Sequence, residues 1–217
     1  MGITNLKTLF ENEYGVCPEI KNLTGGGSGR RYFRLSDSEY NVIGVINDDD
    51  VENKIFIDLA EFLSARGINV PKIITVSKDK KIMLLQDLGD TMLLDLLKGE
   101  DKINLSKRAL SDLIHIQLIP QYLWSDKTGF PQFSERLVRW DLNYFKYDFL
   151  KPLHIAFDEE KLEDDFDKLT KKLMSPDVIY GLMYRDFQSR NIMVKDGNLW
   201  YIDFQGARKV PVVYYAV

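Results

Sequence analysis

The chain has 217 residues, of which 45% are hydrophobic and 29% charged, with a formal net charge of −4. That length suits one large domain or two small lobes around a substantial core, and the scattered Lys and Arg residues give no electrostatic reason to expect a nucleic-acid partner. Cys17 is the only cysteine, so no internal disulfide can form. A reducing, cytoplasmic setting fits, no membrane is expected because no apolar run reaches spanning length, and the start of the chain lacks the basic and apolar regions of a signal peptide. Cys17 with the distant His115 and His154 is poor material for zinc.

In chain order, Thr4 can cap a first helix whose Leu6, Leu9, Phe10 and Tyr14 fall near helical spacing, with Gly15 as its stop. Ile20–Thr24 reads as a short strand entering Gly25-Gly26-Gly27-Ser28-Gly29. Arg31–Leu35 and Asn41–Asn47 read as the next strands, giving a meander. Glu52–Arg66 has a helical period, with Ile55, Phe56, Leu59, Phe62 and Leu63 on one face and Gly67 as the stop. Lys72–Val76 and Ile82–Gln86 form a hairpin. From Thr91 to Met174 the pattern is mostly helical. Asp158 starts a late helix, acidic early and basic late, as the helix dipole prefers. Strands return at Val178–Tyr184, Ile192–Lys195 and Leu199–Asp203, and Asp196-Gly197 is a hairpin turn. A strand-rich run followed by a helix-rich run predicts an α+β chain of two lobes with a boundary at Asp87–Thr91.

The chemistry is concentrated near the end. Asp186 and Asn191 lie in a polar loop between apolar strands, and Asp203 follows the next hairpin. A hairpin of that length returns Asp203 to the level of Asn191, so a carboxylate and an amide oxygen face one point. These are hard ligands suited to Mg²⁺. Asp186 stands apart, where it can take or orient a hydroxyl proton. Taken alone, Asp186 reads first as an Asx-turn and Asn191 as a cap. The combination Arg-Asp, four residues, Asn, an apolar strand, a DG turn and Ile-Asp-Phe is far more specific, and it matches the catalytic and metal elements of protein kinases.

Tyr184-Arg185-Asp186-Phe187-Gln188-Ser189-Arg190-Asn191-Ile192-Met193-Val194, followed by Tyr201-Ile202-Asp203-Phe204-Gln205-Gly206-Ala207, resembles the aminoglycoside phosphotransferase / choline kinase family. Within it, the nearest likeness is to the bacterial N-acetylmuramate/N-acetylglucosamine anomeric kinases. The resemblance runs from about Leu23 to Arg208. It implies a protein-kinase-like fold with an antiparallel-sheet nucleotide-binding lobe at 1–88 and a mainly helical lobe at 89–217 carrying the catalytic loop. It also implies an ATP- and Mg²⁺-dependent kinase acting on a small-molecule hydroxyl, in this branch an amino sugar. By the same likeness, Asp186 is the base and Asn191 and Asp203 hold Mg²⁺. The loop Gly25, Gly26, Gly27, Ser28 and Gly29, with Arg30, covers the phosphates. The segment Gln86, Asp87 and Leu88 meets adenine. The family usually has His where Tyr184 stands. Protein partners are not legible.

The chain departs from the pattern in places. The third strand carries no Lys to clamp ATP phosphates, and aligned on Val70-Pro71 the expected partner Glu falls near Phe56, with Glu52 and Lys54 close by but not clear substitutes. Arg30 or Arg34 is left to compensate. After Asp203 the family continues in helices that shape the acceptor site, whereas here a short tail, uncharged after Lys209, leads to Val217. The expectation is therefore a helical lobe lacking its last helices, in a truncated product or a fragment, and the alternative reading is a catalytically weak or inactive nucleotide-binding module. Trp124, Trp140, Tyr144, Phe145 and Phe149 are expected to form a core stripe, with a sugar-stacking platform as the rival. Asp141, Asn143 and Asp148 are expected on solvated helix faces, with reach to an acceptor as the rival, and His115 in a structural role.

Overall fold

The computed structural model describes residues 2–23, 29–120, 123 and 133–216. Packing groups the described residues into two units, one gathering 2–114 and 185–206, the other 115–120, 123, 133–184 and 207–216.

The first unit is built on a five-stranded antiparallel sheet in the order β1-β2-β3-β5-β4 (Glu19–Leu23, Arg31–Ser36, Asn41–Ile46, Ile82–Gln86 and Ile73–Val76). Alternation along β2 sends Phe33 and Leu35 into the core and leaves Tyr32 and Arg34 on the opposite face. The inner face packs against Leu6 and Phe10 of helix α1 (Gly2–Tyr14), together with Val42, Ile46, Ile82 and Leu84. Gly44 lies on β3 opposite Phe33 and Leu84. A methyl group at that position would stand 2.6 Å from Leu35 Cδ1 and 2.7 Å from Leu6 Cδ1, so the missing side chain is what lets α1 lie on the sheet.

Helix α2 runs Asp50–Ser64. It begins two residues earlier than its apolar period suggests because Asp49 caps it, accepting from the amides of Val51 and Glu52. Gly67, at φ +76°, makes the left-handed exit. The sheet is followed by a short helix α3 (Leu93–Leu96) and the longer α4 (Lys102–Gln117). Strands β7 (Ile192–Lys195) and β8 (Asn198–Tyr201) pair across Asp196-Gly197, whose φ values of 51° and 73° are those of a type I′ turn. Several hydrogen bonds sew this hairpin into the first unit. The Tyr201 amide donates to Asn69 O at 2.8 Å, the Val194 amide to Thr91 O at 2.9 Å, and the Tyr201 hydroxyl to Asp112 Oδ2 of α4 at 2.5 Å. Burial, helped by the Asp112 bond, pushes the Tyr201 hydroxyl pKa up.

In the second unit, Ser134 caps α5 (Glu135–Tyr144), which continues as a π-helical turn, Phe145–Leu150. Helix α6 (Glu159–Leu173) is capped by Asp158. The expected aromatic core stripe does not form. Trp140 is 70% exposed and Tyr144 65%, and Phe145 and Phe149 are also exposed, stacked on each other at 5.4 Å. The reason lies on the inner side of the helix, where Val138 and Leu150 supply the burial. Arg139 pairs with Glu163, and Lys146 with Glu159 and Glu163, so the contact with α6 is ionic and the large rings take the outer face. Trp124 falls outside the described residues. His115, expected as structural, is exposed. Asp141 is not simply solvated, because it accepts from the Tyr214 hydroxyl at 2.5 Å. The apolar tail does not hang free: Arg208–Pro211 forms β9, antiparallel to β6 (Tyr180–Met183), with Val210 and Pro211 buried. Among the described residues no helix is long and apolar enough to cross a membrane.

The Lys146 cluster sets a pH response. Lys146 holds both Glu159 and Glu163 below the ordinary carboxylate range. A carboxylate depressed by folding contributes stability that is fully present above its unfolded pKa and is lost as pH falls through the folded value. The stabilising contribution of this cluster is therefore expected to be fully present between about pH 5 and 8 and to be lost on further acidification, lowering the melting temperature. Thermal melts of the wild type and Lys146→Met, taken across that range and below it, check this: the variant should lose less stability in acid than the wild type.

Candidate active site

The segment from Arg185 to Gly206 packs within the sheet-bearing unit. After Tyr184, which is buried, the backbone turns left-handed at Arg185 (φ 72°), and again at Asp203 (φ 63°). Such backbone at non-glycine residues costs on the order of 1–3 kcal/mol and gathers where geometry is held for a purpose. Between these points the loop is closed by its own amides. Gln188 N donates to Asp186 O at 2.9 Å, Asn191 N to Gln188 O at 2.8 Å, and Ile202 N to Asn191 O at 3.0 Å.

The loop brings the three polar residues together. Asn191, buried, directs its Nδ2 to Asp186 O at 3.0 Å and to Asp203 Oδ2 at 3.4 Å. Its Oδ1 is left without a hydrogen bond among the described residues. Gln205 Nε2 donates to Asp203 Oδ1 at 2.6 Å, while Gln205 Oε1 is buried without a hydrogen-bond partner. Asp186 is exposed and offers its carboxylate in front of Gly206: a methyl group there would come 3.3 Å from Asp186 Oδ2. Gly206 therefore keeps that approach open.

These oxygens fit a hard divalent cation. Asp203 supplies a carboxylate, Asn191 an unengaged amide oxygen, and Gln205 Oε1 is an orphaned buried acceptor beside them. Among the described residues no group of three or more His, Cys, Asp or Glu gathers; one carboxylate with amide oxygens is a hard donor set of the kind that would suit Mg²⁺, an ion that keeps waters and phosphate oxygens as its other ligands.

The other expected site residues are spread along the first unit. Gly25, Gly26, Gly27 and Ser28 lie outside the described residues, and Gly29 is exposed just beyond them. Arg30 is buried beside Glu52 of α2. Arg34 is committed elsewhere: Nε donates to Asp87 Oδ2 at 2.7 Å and Nη2 to Asp90 Oδ1 at 2.8 Å. In the Gln86–Leu88 segment, the Gln86 amide is bound to Lys72 O, and Asp87 O accepts from Lys195 Nζ at 2.7 Å. Leu88 makes no hydrogen bond among the described residues. Asn47 and Lys195 carry no motif, and sequence reasoning passes over them. Glu52 offers one clue, an acidic residue in the first turn of α2.

Arg34 is thus a brace, with a side chain about a fifth exposed and Asp87 less so. Arg34→Ala is expected to cost about 1.5–3 kcal/mol, the range for hydrogen bonds to charged groups, read by urea unfolding. An unchanged midpoint would mean that the Asp87–Asp90 segment is held without it.

The sequence profile of the phosphotransferase enzyme family matches residues 19–214, and the chain belongs to this family. It is 28% identical over 218 aligned positions to the N-acetylmuramate/N-acetylglucosamine kinase of Pseudomonas aeruginosa, covering 96% of this chain and 62% of the relative. It is 27% identical over 193 positions to the kinase of that name from Neisseria meningitidis, covering 85% and 56%. The chain thus spans about three fifths of the length of the curated relatives it matches. Among solved structures, the GDP complex of a point mutant of aminoglycoside 2′-phosphotransferase-IIIa matches with a TM-score of 0.67 at 15% identity, over 99% of this chain and 75% of that one. A ternary complex of aminoglycoside phosphotransferase APH(4)-Ia with AMP-PNP and hygromycin B matches at 0.64 and 14% identity, over 98% and 74%. The α+β, two-lobed kinase-like fold expected from the sequence is therefore the fold of this chain.

Proposed function

We propose that this chain carries the phosphotransfer site of an ATP- and Mg²⁺-dependent kinase acting on a small-molecule hydroxyl, and that the acceptor is an amino sugar. The observation that carries the reading is the meeting of Asp186, Asn191 and Asp203 in one self-closed loop. The names of the curated relatives support the amino sugar. In this reading the acceptor oxygen forms a bond to the terminal phosphorus of ATP, the bridge to ADP breaks, and the acceptor proton passes to Asp186. Asn191 and Asp203 hold Mg²⁺, whose charge, when bound, offsets that of the phosphates. Residues 1–88 act as the nucleotide-binding lobe and 89–217 as the lobe bearing the catalytic loop, with the Gly25–Gly29 loop over the phosphates. Of the Gln86–Leu88 segment, Leu88 keeps its backbone groups available for adenine, since Gln86 N and Asp87 O are engaged.

The test is phosphate transfer from γ-labelled ATP to a panel of N-acetylmuramate, N-acetylglucosamine, aminoglycosides and choline, alongside thermal-shift titration with ATP and Mg²⁺. Labelled sugar phosphate is the expected result. A thermal shift with no transfer to any acceptor would favour a nucleotide-binding module instead, and no shift at all would overturn both.

A further inference from the structure

We propose that Arg30 is the cation that holds the nucleotide phosphates in place of the lysine that β3 lacks, and that Glu52 on α2 is its positioning residue. This rests on the reading of the site given above. Arg30 directly follows the glycine loop and leads into β2. It is only 4% exposed, so its charge is almost wholly removed from water. A buried guanidinium normally spends its donors on matching acceptors. Here they are only partly spent: the guanidinium hydrogen-bonds with the Tyr32 hydroxyl, but its contacts with Glu52 are poor. Glu52 Oε2 stands 3.4 Å from Nε, close enough for an ion pair but too poorly aligned for a hydrogen bond, and Nε has no hydrogen-bond partner. Nη2 reaches Glu52 O at only 3.5 Å. Underneath, the guanidinium carbon lies 5.0 Å from the centre of the Phe56 ring.

The same carboxylate is fixed from the other side. Asn47, the residue after β3, donates Nδ2 to Glu52 Oε2 at 2.8 Å and to Asn53 Oδ1 at 3.0 Å, and Asn53 Nδ2 returns a bond to Asn47 O at 2.9 Å. Glu52 is therefore oriented by an amide at the end of β3 and meets its cation from the start of β2. The pair is also tied to the metal-binding end. Phe56, under Arg30, stacks on Phe204 with ring centres 4.9 Å apart, and Phe204 is the neighbour of Asp203. Tyr32 registers the same arrangement: burial pushes its hydroxyl pKa up, the adjacent Arg30 pulls it down, and Asp203 and Glu52 push it up again. An under-satisfied buried cation, aimed by a fixed carboxylate and linked by stacked rings to the residue beside Asp203, is a site for an anion of several acceptor oxygens. A nucleotide polyphosphate has that chemistry. Arg34 cannot serve, because Asp87 and Asp90 take its donors.

The experiment compares binding of Mg·ATP and of adenosine to the 217-residue chain by calorimetry, for the wild type, Arg30→Lys, Glu52→Gln and the charge-balanced double variant Arg30→Met/Glu52→Gln, with circular dichroism as the folding control. The double variant guards against misfolding from a lone buried carboxylate. The expected result is that the double variant binds Mg·ATP roughly 10- to 100-fold more weakly, the range of a lost hydrogen bond to a charged group, while its adenosine affinity is unchanged. Arg30→Lys should recover part of the loss, and Glu52→Gln should fall between the wild type and the double variant. A purely structural pair would weaken both ligands equally or neither, and either outcome overturns the proposal. Wild-type protein that binds neither ligand overturns the underlying nucleotide reading as well, so the failures are separable.

Discussion

Replacing Asp186 with Asn is expected to lower kcat for phosphate transfer to the proposed acceptor on the order of 10²- to 10⁴-fold, the range by which a positioned general base accelerates a reaction, with Mg·ATP affinity little changed. The loop geometry makes this a clean substitution. Asp186 closes the loop through its main-chain oxygen, which accepts from Gln188 N and Asn191 Nδ2. Its carboxylate stands exposed before Gly206. An amide of the same size leaves those closing bonds intact and removes only the basic oxygen. Asp203→Asn should behave differently, because its carboxylate faces Asn191 and Gln205: the dependence of nucleotide binding on Mg²⁺ should weaken. Steady-state transfer assays on both variants, with Mg²⁺ titrations, separate the two roles. Wild-type kcat in Asp186→Asn would remove Asp186 as the proton acceptor.

Gly44→Val is expected to destabilise the sheet-bearing unit by about 1–3 kcal/mol, the usual cost of forcing extra methyl groups into a packed core. Taken alone, β-propensity predicts the opposite sign, since valine suits a strand better than glycine. Packing decides the outcome, because the first added carbon already falls 2.6–2.8 Å from Leu35 and both terminal methyls of Leu6. Either α1 lifts from the sheet or β3 shifts against β2. Leu6→Ala alone should cost about 2–5 kcal/mol through the cavity it leaves. Combined with Gly44→Val it should cost less than the sum, since the new side chain fills part of that cavity, with a coupling on the order of 0.5–3 kcal/mol. Urea unfolding of the four proteins in this cycle measures it. Additive losses would mean that the two positions do not touch.

Some of this was legible from the chain alone. Asp186, Asn191 and Asp203 are separated by one short loop and one hairpin, and the DG turn sets the register that returns Asp203 to Asn191. Periodicity announced α1 and α2, and the Asp158 cap announced α6, because such interactions span only a few residues; Thr4, expected to cap α1, instead lies inside it, since the helix already begins at Gly2. The acidic cap at Asp49 shifted one boundary without changing the element.

Tertiary structure decided what depends on distant partners. Which acceptors each arginine meets could not be read from spacing, because Arg30 and Arg34 would share one face if the strand were continued back to Arg30. Arg34 is claimed by Asp87 and Asp90, more than fifty residues away, while Arg30 meets Glu52 of α2. The aromatic residues of α5 misled because helical period gives a shared face but not which face is covered. The salt bridges from Arg139 and Lys146 to α6 gave the inner face to charge. The sequence shows the tail after Lys209 only as short and uncharged; β6 supplies the edge that Arg208–Pro211 completes. In each case the local sequence permits more than one arrangement, and burial against a particular partner selects one.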